Sequence, residues 1–257
     1  MSEGRPDCRC GVVRPVECLK AGWVLIKDDY WLYFGITVVG VLLASVAPLG
    51  ILAGPMMCGI YYCLLRRARG QTVKFEMLFR GFDYFVQSLI ATLLMMIPML
   101  LIIGPAYIGF FAAMFAAMPK EQGAPPDPGM HSTILGAYGL LILVVLLVSI
   151  VINVLFFFTY PLIVDRRLTG VQAVGTSFQA ARANFGGVLG LVLLNMLLGL
   201  IGSLVCCIGG LFVMPLHFAA IAVAYRAVFP DDGGPASPPD GVAADSDDAR
   251  LEPLPPE

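Results

Sequence analysis

Residues 138–161 read YGLLILVVLLVSIVINVLFFFTYP, 24 positions without an Asp, Glu, Lys or Arg. As a helix rising about 1.5 Å per residue, this stretch is about 36 Å long, enough to cross the roughly 30 Å hydrocarbon core of a bilayer. A water-soluble fold could bury such a run only at the expense of large exposed apolar patches elsewhere. The rest of the chain agrees. Of its 257 residues 58% are hydrophobic and 13% charged, and the mean hydropathy of +0.84 lies well outside the soluble range.

Working outward from this run, the expected fold class is an all-α integral membrane protein. Its six transmembrane helices form three hairpins, each preceded by an interfacial amphipathic helix. The first hairpin pairs 31–47 with 51–65 across a turn at Pro48–Gly50, and Arg66, Arg67 and Arg69 end it. Both helices are short for a bilayer, so Trp31, Tyr33, Tyr61 and Tyr62 are expected as aromatic anchors. The second pairs a long helix at 85–118, interrupted by Pro98 and Pro105, with another at 133–164. A polar loop at 119–132 joins them. The third pairs 187–205 with 208–229. Mixed stretches at 15–30, 71–84 and 165–184 carry apolar residues on one face and charge on the other, the pattern of helices lying in an interface. In the first, Val16, Leu19, Trp23, Leu25 and Ile26 share a face.

Charge fixes the orientation. Of 16 Lys and Arg residues, only Lys120 falls outside the loops and tails assigned to one side. By the positive-inside rule both termini are cytoplasmic and the protein is multi-pass. Residues 1–14 read as a polar tail, 15–229 as the membrane domain, and 230–257, rich in Pro and Asp, as a disordered acidic cytoplasmic tail. No cleavable signal peptide is apparent, so the first helix serves as the targeting signal. The formal charge of −2 and its distribution make nucleic acid an unsuitable partner. Seven cysteines imply neither a disulfide framework nor a metal site: Cys58, Cys63, Cys206 and Cys207 lie in apolar segments. Cys8, Cys10 and Cys18 lack a second pair at zinc spacing.

An ungapped offset of 100 residues sets Arg66-Arg67-x-x-Gly70 on Arg166-Arg167-x-x-Gly170 and Phe85 on Phe185, with 12 identities across 49 positions from 66 to 114. A looser third copy places Lys20, Asp29 and Tyr30 on Lys74, Asp83 and Tyr84. The units would share one orientation, a parallel internal repeat, and ligand sites in repeat-built transporters lie where repeats meet. The alternative is a duplication that serves stability alone. Gly54-Pro55 through Gly70, Phe79 through Phe85, and Tyr160-Pro161-Leu162-Ile163-Val164-Asp165 through Phe185 resemble a set of poorly characterised bacterial polytopic membrane-protein families. That set includes the membrane domain of glycerophosphoryl diester phosphodiesterases, whose catalytic domain has no counterpart here. The resemblance implies a bacterial inner-membrane protein and transfers no catalytic residue.

Enzymatic motifs are missing from the sequence. Neither His-Glu-x-x-His nor Gly-x-Ser-x-Gly occurs, and Gly175-Thr176-Ser177-Phe178-Gln179 fails at its last position. The expected helices hold no charged residue away from their ends, which speaks against a buried acid or base, and no cofactor is implied. Three polar residues lie at depth, Asn153, Asn195 and His217. They are either a shared ligand site or hydrogen-bonding groups that hold helices together, His217 reaching an Asn or a carbonyl freed by Pro215. Arg66, Arg67, Arg166 and Arg167 either grip lipid headgroups or only set topology. Gly186 and Gly190 form a Gly-x-x-x-Gly packing step. Two functions remain open. One is a non-enzymatic module that binds or moves a lipid-like or small amphipathic molecule between its repeats, with membrane lipids as partners. The other is a scaffold recruiting a protein partner, or a second copy, through its cytoplasmic helices and tail.

Overall fold

A computed structural model describes residues 8–46, 50–116, 128–205 and 209–230. The turn at 47–49, Lys120 and most of its loop, Cys206, Cys207 and the tail from 231 lie outside the described residues. Among the described residues nine α-helices follow in order: α1 (Pro15–Ile26), α2 (Tyr30–Val46), α3 (Ala53–Ala68), α4 (Phe85–Ala116), α5 (Pro128–Leu155), α6 (Thr159–Arg166), α7 (Gly170–Ala183), α8 (Phe185–Val205) and α9 (Gly209–Val228). A 3-10 segment, Phe75–Tyr84, precedes α4. Among the described residues there is no strand.

Among the described residues five helical stretches are long and apolar enough to cross a membrane: Pro15–Val46, Phe75–Phe115, Ile134–Arg166, Phe185–Leu204 and Gly209–Val228. The sixth expected crossing is α3, whose 16 residues reach about 24 Å and fall short of the bilayer core. Instead α3 is enclosed by protein. Ten of its residues are buried, and α2, α4, α6, α9 and the 3-10 segment all pack against it. This overturns the anchor reading at two tyrosines: Tyr33 and Tyr61 are 1% and 4% exposed, and Tyr61 packs edge-on against Phe218. Only Trp31 projects outward among the four.

Lipid tails are as apolar as Leu, so helices inside a bilayer associate through close backbone approach rather than hydrophobic burial. Glycine makes that approach possible. A Cβ on Gly59 would lie 2.0 Å from the Leu78 carbonyl oxygen, and one on Gly81 would lie 2.0 Å from that of Pro55, so α3 and the 3-10 segment meet backbone to backbone. A 3-10 helix repeats every three residues, which aligns Leu78 with Gly81 toward α3. Phe75, Phe79 and Phe82 are left exposed. In α1 the buried line is Cys18, Gly22 and Ile26, because Gly22 fits against the Ala219–Ala220 backbone of α9. Val16 and Trp23, expected on the same face as Ile26, point outward. The glycine step of α8 is likewise displaced: Gly187 meets Val13 and Gly190 meets Pro15, while Gly186 has open space.

One further expectation changes. The helix expected at 133–164 is interrupted at Phe156–Phe158, between α5 and α6. Pro161 removes one helical N–H, and Ser177 of α7 serves the exposed groups: its Oγ accepts from the Phe158 N–H at 3.1 Å and donates to the Leu155 carbonyl at 2.8 Å. At the N-terminus Val13 is buried, and the backbone at Arg9 and Val12 is tied to later helices. Asn184, between α7 and α8, accepts from the Val12 N–H at 3.2 Å and donates to the Arg9 carbonyl at 2.9 Å, and the Arg9 N–H reaches the Val228 carbonyl. The core therefore gathers around α3, α6 and the last turns of α9, where Phe158, Tyr225 and Phe229 pack ring against ring. Away from it the apolar surface faces outward, Leu100 being 74% and Leu204 77% exposed.

Candidate functional site

The last turns of α3, α6 and α9 converge with their arginines, and most of these are occupied by protein groups. Asp165, at the end of α6, keeps only 2% of its side chain exposed. One carboxylate oxygen takes Arg69, just past α3; the other accepts from the Tyr225 hydroxyl at 2.7 Å and lies 3.6 Å from Arg166 Nε. Arg166 also donates to the Pro230 carbonyl at 2.9 Å, and Arg226 donates to the Ala68 carbonyl. Arg67 pairs with Asp29 at 3.0 Å and donates to the Leu25 carbonyl at 3.4 Å. Arg66 donates to the Tyr62 hydroxyl at 3.1 Å and lies over its ring, with its Nε buried and unpartnered. Of the four arginines read either as headgroup ligands or as topology signals, Arg67 and Arg166 tie helix ends together.

Arg167 follows at the end of α6. It caps α6 in the left-handed conformation at φ 49, where an L side chain is disfavoured by about 1–2 kcal/mol. Beside it lies a crevice of about 180 Å³ lined by Asp83, Tyr84, Gln87, Ile163, Arg167 and Leu168. After α3 the left-handed position falls to Gly70, at φ 75. Gly170 serves another purpose: it begins α7, its N–H bonds to Gln87 Oε1 at 3.0 Å, and a Cβ there would strike the Gln87 carbonyl. The two aligned glycines are not used alike.

No hydrogen bond joins the three polar residues at depth among the described residues. Asn153 is exposed on α5 and donates back to the Ser149 carbonyl at 2.8 Å. His217 is half-buried, its ring edge-on to Phe218 at 5.3 Å. The carbonyl beside the one that Pro215 frees, that of Phe212, accepts instead from the Tyr30 hydroxyl at 2.7 Å. Asn195 is 4% exposed, with both amide atoms buried and unpartnered. Gly202 packs on Gly209 at the α8–α9 turn, and antiparallel register from there sets Asn195 at about the height of Leu216 and His217.

A second crevice, about 290 Å³ and almost wholly apolar, opens on α4. Met96, Met99, Leu100, Ile103, Gly104 and Tyr107 line it, a face repeating at three and four residues that spans both Pro98 and Pro105. Sequence reading marked the prolines and gave no role to Met96 and Met99 beside them, whose flexible, polarizable side chains suit a variable apolar occupant.

A family described as protein of unknown function (DUF975) matches residues 29–229. The chain belongs to it. Every element from α2 to α9, both crevices and all seven expected site residues lie inside the DUF975 region, whereas α1 and residues 9–14 precede it. No curated protein and no solved structure matches the chain.

Proposed function

We propose that this DUF975 member is a non-enzymatic protein of a bacterial inner membrane that binds, or moves, a lipid-like or small amphipathic molecule. The observation that carries the reading is the crevice on α4, apolar and lined by Met96, Met99, Leu100, Ile103, Gly104 and the phenol-bearing Tyr107. Element order supports a repeated unit: a short helical segment and then two long helices recur as α1–α3, as the 3-10 segment with α4 and α5, and as α7–α9. In this reading α3 completes a sixth crossing by virtue of its protein surroundings, the three hairpins are parallel repeats, and the arginine-rich end faces the cytoplasm with both termini. The kinship with phosphodiesterase membrane domains belongs to the same proposal.

Native mass spectrometry of the protein released gently from its membrane tests it. Wild type is expected to carry a discrete lipid-sized mass that Gly104→Trp, which fills the crevice, removes, while Leu140→Trp on the outer surface of α5 keeps it. Equal occupancy in wild type and Gly104→Trp would overturn the assignment of the crevice. A protein that emerges empty, or carrying only a protein partner, would favour the scaffold.

A further inference from the structure

The crevice beside Arg167 differs in chemistry from that on α4. It places a guanidinium, a carboxylate, a carboxamide and a phenol around about 180 Å³, with Ile163 and Leu168 completing its wall. Gln87 already spends its Oε1 on the Gly170 N–H, which leaves the amide NH₂ as a donor. Arg167, Gln87 and Tyr84 therefore offer donors suited to phosphate oxygens. Asp83 offers the opposite, and in a site for a simple anion its charge would repel the ligand. Both charged residues are exposed to the surroundings of the protein. Val86 and Phe82, also exposed, flank Asp83 and Tyr84 with apolar surface, as a lipid-borne headgroup requires. The backbone adds a second argument: an arginine occupies a left-handed position that glycine would adopt without strain, as Gly70 does after α3.

We infer that this crevice is a headgroup site for a phosphate ester bearing a primary amine, a phosphoethanolamine, with the phosphate on Arg167, Gln87 and Tyr84 and the ammonium on Asp83. The inference rests on the lipid-binding reading but not on the α4 crevice. A plain phosphoglycerol head meets the Asp83 charge without an ammonium. A choline head brings a cation that has no N–H to donate.

The test exposes the purified protein to an equimolar mixture of phosphatidylethanolamine, phosphatidylglycerol and phosphatidylcholine with identical acyl chains, and counts bound masses by native mass spectrometry. Wild type is expected to retain phosphatidylethanolamine about tenfold over the other two, the worth of one charge-assisted hydrogen bond. Asp83→Asn should erase that preference while still binding lipid. Arg167→Gly should lower retention of all three with folding intact, since glycine accepts the left-handed backbone. Soluble glycerophosphoethanolamine distinguishes the source: competition at comparable concentration assigns the site to the free ester, and failure to compete assigns it to the lipid. Equal retention of the three lipids by wild type, or a preference that survives in Asp83→Asn, overturns the headgroup assignment and leaves lipid binding in place. A protein that binds none of the three overturns both.

Discussion

Ser177 is fully buried and holds the break between α5 and α6 from both sides, accepting from Phe158 and donating to Leu155. Ser177→Ala strands an amide and a carbonyl away from water, so it is expected to destabilise the fold by about 1–3 kcal/mol in a denaturation series in detergent. Asn195 behaves oppositely. Its amide is enclosed without a partner, so Asn195→Leu should leave stability unchanged or raise it by about 1 kcal/mol. A drop in melting temperature instead would mean that the amide has a partner in the membrane, water or ligand. The sequence singles out Asn195 and His217 as unusual at their depth. It could not assign Ser177 its task, because the groups served lie 19 and 22 residues away and only the folded chain joins them.

Among the elements, α3 and the 3-10 segment depend on two glycines. Gly59→Ala places a methyl group 2.0 Å from the Leu78 oxygen, a backbone atom that cannot rotate away, so a loss beyond about 4 kcal/mol is expected, in the range reserved for severe core damage. Gly109→Ala on α4 meets nothing within 4 Å and should stabilise its helix by about 0.5–1 kcal/mol. Comparing the folded yield of the two variants checks the contrast. Element boundaries were legible because turn residues and arginines punctuate the apolar runs: the segments expected at 85–118, 187–205 and 208–229 appear as α4, α8 and α9 within a few residues. Burial was less so. In a membrane chain the lipid-facing and protein-facing sides of a helix are both apolar, so periodicity no longer marks the inner face. That is why Tyr33 and Tyr61 were misplaced, why the Cys18–Gly22–Ile26 line was not anticipated, and why α3, short as it is, was not recognised as enclosed by protein.

Across the whole molecule, Asp165 binds three helix ends at once through Arg69, Arg166 and Tyr225. Breaking a buried ion pair from one side costs roughly 3–5 kcal/mol, because the partner charge stays behind. Asp165→Asn should approach that loss, and adding Arg69→Met should recover part of it, a coupling that a double-mutant cycle measures directly. The headgroup site stands just outside this cluster, at Arg167, and is expected to survive the double substitution. Orientation is tested separately: Cys10 is exposed, and a membrane-impermeant maleimide should label it in inverted vesicles but not in intact cells. The N-terminal packing carries a further consequence for biosynthesis. Arg9 bonds to Val228 and Val12 to Asn184, so the first described residues made by the ribosome dock on nearly the last. The partners of Arg9 and Val12 are therefore made long after them, and a chain cut short before the end of α9 lacks the Val228 carbonyl that the Arg9 N–H meets.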